Sequence, residues 1–275
     1  MIGVFDSGLG GLSVWNEIIN ILPNEKIVYF ADSGYCPYGN RTREDITQRV
    51  KLITDFLISK GVSLIVVACN TVTAASIDYL RENYTIPFVG MEPAVKPAIL
   101  NSKSGVVGVL ATKGTLNGAL YKRTLNKYKQ GTIVLEQAGE GLVELVEAGE
   151  TSSAKGRELL ERYLLPMLEQ GADHIVLGCT HYPFLTKQIR EIAGPEVEIV
   201  NPAPAVARRT AELLAKNAAD SLCNAQSIGN NSSKYTFYTT GANGDIIKKL
   251  AACSNCNFAD CIHAFIYKSF VDSIS

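Results

Sequence analysis

This sequence lacks the features that mark membrane-bound, secreted and nucleic-acid-binding proteins. No apolar run approaches the roughly 18 residues that a membrane-spanning helix needs. The net charge is −1, so there is no basic field to attract nucleic acid or an anionic membrane. Residues 1–5 enter a strand-like run directly, without a basic segment, which predicts no signal peptide.

The sequence also lacks the cysteine pattern of a disulfide framework. It has seven cysteines, an odd number, in a chain without secretory features. Reduced thiols are the expected state of such cysteines. We therefore predict a cytoplasmic protein.

No metal or organic cofactor is predicted. Gly8-Leu9-Gly10-Gly11 only faintly resembles a dinucleotide loop, because Ser13 occupies the third glycine position. Four residues of the tail resemble metal ligands, but only one pair is closely spaced. These residues are Cys253, Cys256, Cys261 and His263, and the three cysteines are expected to be unlinked thiols.

Strand-like apolar runs alternate with helical patterns along most of the 275 residues. This alternation favours a mainly parallel sheet with helices on both faces, built twice. Pro166 interrupts a helical pattern and predicts a kink or a helix boundary. The predicted strands are 2–5, 26–31, 64–68, 87–90, 106–110, 132–135, 175–178, 198–200 and 234–238, and the clearest helices are 43–60, 71–83 and 205–217.

Two cysteines occupy equivalent places in the two halves of the chain. Cys69 and Cys179 each follow a short β-branched run and precede polar residues that could cap a helix. The thiols are 110 residues apart, and the similar segments that begin at Ile2 and Val107 are 105 residues apart. The sequence therefore indicates a divergent duplication that contributes one thiol from each half.

Proline clusters at 91–97 and 201–204 predict the joints between two domains. We predict a first domain of residues 1–95 plus 207–275 and a second of residues 96–206. The fold class is α/β, with two similar, doubly wound, mainly parallel-sheet domains that face each other across a cleft. A pseudo-twofold axis relates the domains, and each carries one of the paired thiols.

Two opposed thiols suit the inversion of a carbon centre. Inversion needs a base on one face of the carbon and an acid on the other, and two equal thiols can exchange these roles. The ordinary role of a free cysteine is that of a small buried hydrophobe. Two thiols at equivalent strand ends favour chemistry instead, since ligands of open α/β sheets bind beyond those ends.

Five motifs in this order and spacing resemble glutamate racemases of the aspartate/glutamate racemase superfamily. The resemblance implies cofactor-independent interconversion of L- and D-glutamate, which supplies D-glutamate for peptidoglycan. The motifs are Val4-Phe5-Asp6-Ser7-Gly8-Leu9-Gly10-Gly11, Pro37-Tyr38-Gly39, Ala68-Cys69-Asn70-Thr71, Gly178-Cys179-Thr180-His181-Tyr182-Pro183 and Phe237-Tyr238-Thr239-Thr240-Gly241.

The resemblance also implies roles for individual residues. It identifies Cys69 and Cys179 as the catalytic thiols, assisted by Asp6 and His181, and it suggests that Glu147 orients His181. The implied substrate contacts are Asp6, Ser7, Tyr38, Gly39, Asn70, Thr71, Thr180 and His181. Hydroxyls and backbone N–H groups of this set suit a carboxylate, and Thr112 and Thr115 are either further contacts or helix caps.

Other functions stay open at this point. A racemase of aspartate is the main alternative, and a decarboxylase is disfavoured because it would need protonation from one face only. A binding module that merely holds an amino acid is compatible with the cleft. The expected partner is a small-molecule substrate, and a homodimer is compatible with the sequence.

Overall fold

The computed structural model describes residues 1–92, 94–220, 234–241 and 261–266. The strands of these residues form two separate parallel sheets. The first sheet contains β1 (Ile2–Asp6), β2 (Ile27–Ala31), β3 (Leu64–Val67), β4 (Phe88–Gly90), β9 (Tyr235–Thr239) and β10 (Cys261–Ile266). The second contains β5 (Val106–Ala111), β6 (Ile133–Ala138), β7 (His174–Gly178) and β8 (Glu198–Val200).

Helices connect the strands, as parallel pairing requires. In the first half they are α1 (Leu12–Ile21), α2 (Arg43–Ser59) and α3 (Asn70–Asn83). The second half contains α4 (Val95–Asn101), α5 (Lys113–Asn117), α6 (Ala119–Tyr128), α7 (Leu142–Glu147), α8 (Ala154–Glu169) and α9 (Thr186–Ala193), and α10 (Ala203–Asp220) follows β8. Short 3-10 helices lie at Tyr38–Asn40 and Tyr182–Leu185. None of the helices in the described residues is long and apolar enough to cross a membrane.

The two sheets share one strand order. The first sheet runs β10-β9-β2-β1-β3-β4 and the second runs β6-β5-β7-β8. In each, the first strand of the half lies between the second and the third, and the fourth follows the third. This shared topology confirms the predicted fold class and the duplication.

Alternating side chains of each central strand supply a core on either face of the sheet. Val4 and Val66 pack in the cluster that contains Trp15, whereas Phe5 and Val67 pack in another cluster. Burying each of these apolar side chains is worth about 1.5–3 kcal/mol. Because both faces of the sheet are covered by apolar side chains, the strand sequences are continuous hydrophobic runs rather than alternating polar and apolar residues.

The strand predictions hold to within a few residues, and the strand from residue 234 returns to the first sheet, where β9 pairs with β2. A helix boundary at Pro166 is wrong, because α8 continues through this residue. The domain boundaries stay predictions: 95/96 lies at the start of α4 and 206/207 lies inside α10. Side chains of the tail group, including Cys253 and Cys256, lie outside the described residues.

A buried ion pair holds the loop after β2. Asp32 is fully buried and accepts two hydrogen bonds of 2.6 Å from Arg49 of α2. The Tyr38 hydroxyl also donates to Asp32, and the Thr240 hydroxyl donates to it at 2.7 Å. Since the carboxylate is satisfied from three segments, it fixes the position of the Tyr38–Gly39 turn.

We expect Arg49→Met to lower the free energy of unfolding by about 3–5 kcal/mol, because it leaves a buried carboxylate without its cation. Urea denaturation followed by circular dichroism measures this loss. The matched control is Arg157→Met, which removes exposed ion pairs with Glu161 and Glu191 and should cost about 0–1 kcal/mol. Equal losses in the two variants would contradict the assigned role of Asp32.

Candidate active site

A cavity of about 290 Å³ lies where the strands of both sheets end. Residues that directly follow β1, β3, β5 and β7 line it, as expected for parallel sheets. Both thiols face this cavity, and each is only 5% exposed. The structure thus brings together most of the predicted site residues in its lining: Ser7, Tyr38, Gly39, Cys69, Asn70, Thr71, Cys179, Thr180 and His181.

Cys69 lies at the N-terminus of α3, where it is the N-cap residue. Its sulfur lies 3.7 Å from the Ser7 hydroxyl oxygen. Burial and the nearby Asp6 carboxylate raise the pKa of the Cys69 thiol to about 12, although the backbone N–H of Val72 and the Ser7 hydroxyl oppose this shift. This shift favours the neutral form of the Cys69 thiol, which can donate a proton.

Cys179 has a different neighbour. Its sulfur lies 3.7 Å from Nδ1 of His181, and Nε2 of the same ring lies 2.7 Å from Oε1 of Glu147. Burial lowers the pKa of His181, but hydrogen bonds to Cys179, Cys36 and Glu147 outweigh burial and raise it well above its usual value. His181 is therefore placed to exchange a proton with Cys179 while Glu147 orients its ring.

Asp6 lies beneath the cavity rather than in its lining. It is fully buried and accepts hydrogen bonds from the Gly8 N–H at 3.0 Å and from the Thr180 hydroxyl at 3.1 Å. Burial raises the pKa of Asp6, and the nearby His181 partly offsets this. Since Thr180 belongs to the second half of the chain, Asp6 both acts on the charge of Cys69 and joins the two halves.

The loop between β1 and α1 packs directly against the hydrogen-bonded pair of His181 and Glu147. Its Leu9 N–H donates to Glu147 at 2.6 Å. A Cβ on Gly8 would lie 1.9 Å from Glu147 Oε1, and one on Gly10 would lie 2.3 Å from His181 Nδ1. Glycines are therefore required in this loop for close packing between the halves. This packing explains why residues 8–11 are rich in glycine although they only faintly resemble a dinucleotide-binding loop.

The opposite wall offers polar groups that suit a small zwitterion. The Thr71 and Thr112 hydroxyls lie 2.9 Å apart across the two halves, and Thr112 also caps α5. Within the described residues, the buried Oδ1 of Asn70 has no hydrogen-bond partner. Because a buried acceptor without a partner is costly, this oxygen favours a ligand that donates a hydrogen bond. Thr115 is bonded to Thr112 and does not line the cavity.

Several residues of the site were not predicted. Lys113 and Glu140 form an exposed ion pair and line the cavity. Lys113 directly follows Thr112 near the end of a predicted strand. This position could have indicated that Lys113 lies at the site. Cys36 lies behind His181 and precedes the Tyr38–Gly39 motif. Burial raises the pKa of Cys36 to about 11, although His181 opposes this shift.

A second cavity is larger, at about 1080 Å³, but contains neither thiol. It lies between the ends of α3, α4, α6 and α10, and its lining is rich in cations. Chemistry that depends on the paired thiols therefore belongs to the smaller cavity. The cationic residues of the larger cavity are Arg81, Lys96, Arg123, Lys127, Arg208 and Arg209.

Two similar parallel-sheet halves, each with a thiol against one shared cavity, define the racemase class that the motifs predict. The family model of the Asp/Glu/Hydantoin racemases matches residues 2–210. A glutamate racemase from Herpetosiphon aurantiacus is 52% identical over 214 residues, which are 78% of this chain and 84% of that protein. The chain belongs to the Asp/Glu/Hydantoin racemase family, and the predicted resemblance is confirmed.

Solved structures agree with this assignment. Glutamate racemase from Escherichia coli, in complex with L-glutamate and the activator UDP-MurNAc-Ala, has a TM-score of 0.80 at 31% identity, over 92% of this chain and 94% of that one. Glutamate racemase from Francisella tularensis, in complex with D-glutamate, has a TM-score of 0.78 at 29% identity, over 96% of each chain.

We expect Glu147→Gln to lower kcat, by up to roughly 10²-fold, because a misplacement of about 1 Å in a reacting group is sufficient for such a loss. The amide keeps the size of the side chain but no longer holds His181 by a charged hydrogen bond. Initial rates in both directions measure this effect. Glu150→Gln is the matched control, since Glu150 is exposed just beyond the end of α7. An unchanged kcat in Glu147→Gln would show that the pair does not position His181.

Proposed function

We propose that this protein interconverts L-glutamate and D-glutamate, with Cys69 and Cys179 as the acid and the base. The observation that carries the proposal is that the two thiols come from opposite sheets and line one cavity. A substrate whose Cα lies between them has one thiol on each face. The glutamate racemases to which the chain is similar support glutamate as the substrate.

The reaction needs one proton transfer on each face of the carbon. The thiolate on one side removes the Cα proton and leaves a carbanion next to the α-carboxylate. The neutral thiol on the other side then donates its proton to the opposite face. The enzyme finishes with the protonation states of the two thiols exchanged, so the reverse reaction follows the same path.

Acid–base catalysis alone does not account for the rate. Positioned acids and bases contribute roughly 10²–10⁴-fold, so stabilisation of the carbanion must supply much of the remainder. The charge that develops on the α-carboxylate can be stabilised by hydrogen bonds donated by the Thr71 hydroxyl and by backbone N–H groups at the start of α3. Those N–H groups also lie at the positive end of the helix dipole.

The other groups of glutamate fit the remaining polar atoms. The ammonium would donate a hydrogen bond to Asn70 Oδ1, which has no partner within the described residues. The side-chain carboxylate would lie against the Tyr38–Gly39 turn. The Tyr38 hydroxyl is already bonded to Asp32, so this turn would bind the substrate through its backbone and the edge of the ring.

The surroundings of the two thiols differ. Cys69 is held neutral by burial and by Asp6, whereas Cys179 faces a histidine that burial does not keep neutral. Cys69 is therefore suited to donate a proton, and Cys179 lies 3.7 Å from the ring nitrogen of a histidine that can exchange one with it. The other enantiomer requires the two thiols in the opposite protonation states.

We further propose that the D-glutamate serves peptidoglycan synthesis and that the enzyme acts in the cytoplasm. The family resemblance supports the first point. Both thiols must be reduced for this chemistry, and a reducing compartment keeps them so. The expected class of enzyme is an isomerase that uses no added cofactor.

We expect Cys69→Ala and Cys179→Ala each to abolish racemisation, because each variant leaves one face of the carbon without an acid or a base. Incubation with either enantiomer followed by chiral chromatography measures the product. Cys223→Ala, which removes a thiol outside the predicted pair, is the control and should keep its activity. Full activity in either single variant would contradict the two-thiol mechanism.

We expect aspartate to be a poor substrate, with kcat/KM lower than that for glutamate by about 10²-fold or more, since a misplacement of about 1 Å has such a cost. Aspartate is one methylene shorter, so it cannot reach the Tyr38–Gly39 turn while its Cα lies between the thiols. Steady-state assays with both amino acids test this. Comparable values would instead favour the aspartate racemase alternative.

A further inference from the structure

Three side chains able to bind a metal ion meet behind the catalytic cavity. The ligand atoms of Cys36, Glu147 and His181 all lie within 4.8 Å of one another. Neither Cys36 nor Glu147 lines the cavity itself. The proton transfers described above make no use of the Cys36 thiol, so the proximity of Cys36 to the Glu147–His181 pair has no explanation in the reaction.

The donor set is that of a soft divalent ion. A thiolate, an imidazole and a carboxylate are the usual ligands of Zn²⁺, which binds them in tetrahedral geometry. Ligand atoms in such a site lie roughly 3.3–3.5 Å apart, given metal–ligand distances near 2.0–2.3 Å. The Glu147 and His181 atoms, now 2.7 Å apart, would separate by about 0.6–0.8 Å to admit the ion. The thiolate and carboxylate charges together would balance the charge of the ion.

The ligands come from both halves of the molecule. Cys36 follows β2 of the first sheet and packs against the core of the second half. Glu147 ends α7 and His181 follows β7. An ion held by all three would therefore link the two halves. The Leu9 N–H that donates to Glu147 at 2.6 Å would serve as an outer partner that orients this ligand.

Metal binding would alter His181 in a defined way. An ion on Nε2 fixes the remaining ring proton on Nδ1, which faces the sulfur of Cys179. The ring could then donate to Cys179 but could no longer accept its proton. The Cys36 thiol would lose its proton to solvent as the metal–sulfur bond forms.

We propose that Cys36, Glu147 and His181 form an inhibitory binding site for a soft divalent metal ion, with Zn²⁺ as the best fit. Binding depends only on the three ligands, whereas inhibition rests on the proposed racemase function. The two parts of the proposal therefore need separate measurements.

Binding is measured first, with Co²⁺ as a spectroscopic probe on the chelator-treated full-length chain. A thiolate–cobalt charge-transfer band in the near ultraviolet is expected for the unsubstituted protein. The band should disappear in Cys36→Ser and weaken in Glu147→Gln. It should persist in Cys69→Ala/Cys179→Ala, which lacks both cavity thiols, and in Cys253→Ser/Cys256→Ser, which lacks the closely spaced tail pair. Thermal melts of the metal-free variants verify that each is folded.

Inhibition is measured next, as the Zn²⁺ concentration that halves racemisation relative to each variant's own metal-free rate. That concentration should rise by at least roughly tenfold in Cys36→Ser, the scale on which even outer-shell changes weaken metal sites, and should be unchanged in Cys253→Ser/Cys256→Ser. Equal inhibition of Cys36→Ser and the unsubstituted protein, or a cobalt band that survives in Cys36→Ser, would overturn the proposal. Absence of racemisation in the metal-free protein would refute the proposed function, while the cobalt band would still decide the metal site.

Discussion

The contact between the loop after β1 and the second half of the chain is the constraint on which the site depends. Leu9 donates to Glu147 at 2.6 Å, and Thr180 donates to Asp6 at 3.1 Å. Both hydrogen bonds cross between halves that are otherwise separate sheets with separate cores. The Thr71–Thr112 hydrogen bond crosses between the halves as well. With these hydrogen bonds, the strand ends of both sheets open onto one cavity.

The same contact makes a symmetric fold chemically asymmetric. Duplication supplies two equivalent strand ends and two equivalent thiols, yet their surroundings differ. Cys69 begins a helix, and its own burial together with the nearby buried carboxylate of Asp6 raises its pKa to about 12. Cys179 lies beside His181, whose ring is oriented by Glu147. Neither enantiomer is favoured at equilibrium, but the residues that assist the two thiols differ. The proton transfer on each face of the carbon therefore has its own acid–base environment.

The sequence predicts the fold and the thiol pair because both depend on local patterns. Runs rich in β-branched residues become central strands, and a residue at a strand end in a parallel sheet faces the ligand side. What escapes prediction depends on contacts between distant residues. Cys36 carries no local signal that it lies beside His181. Glu147 is suggested only by a loose family match. Pro166 lies inside a continuous helix, whereas its sequence pattern predicted a kink or a helix boundary.

The central claim is that one thiol acts on each face of the substrate carbon. The most direct test starts the reaction with unlabelled L-glutamate in deuterium oxide and follows the label at Cα in both enantiomers. Two separate bases predict that D-glutamate carries deuterium from the first turnovers while the remaining L-glutamate stays unlabelled. Early D-glutamate that retains the original hydrogen would mean that a single base returns the same proton, and it would contradict the mechanism.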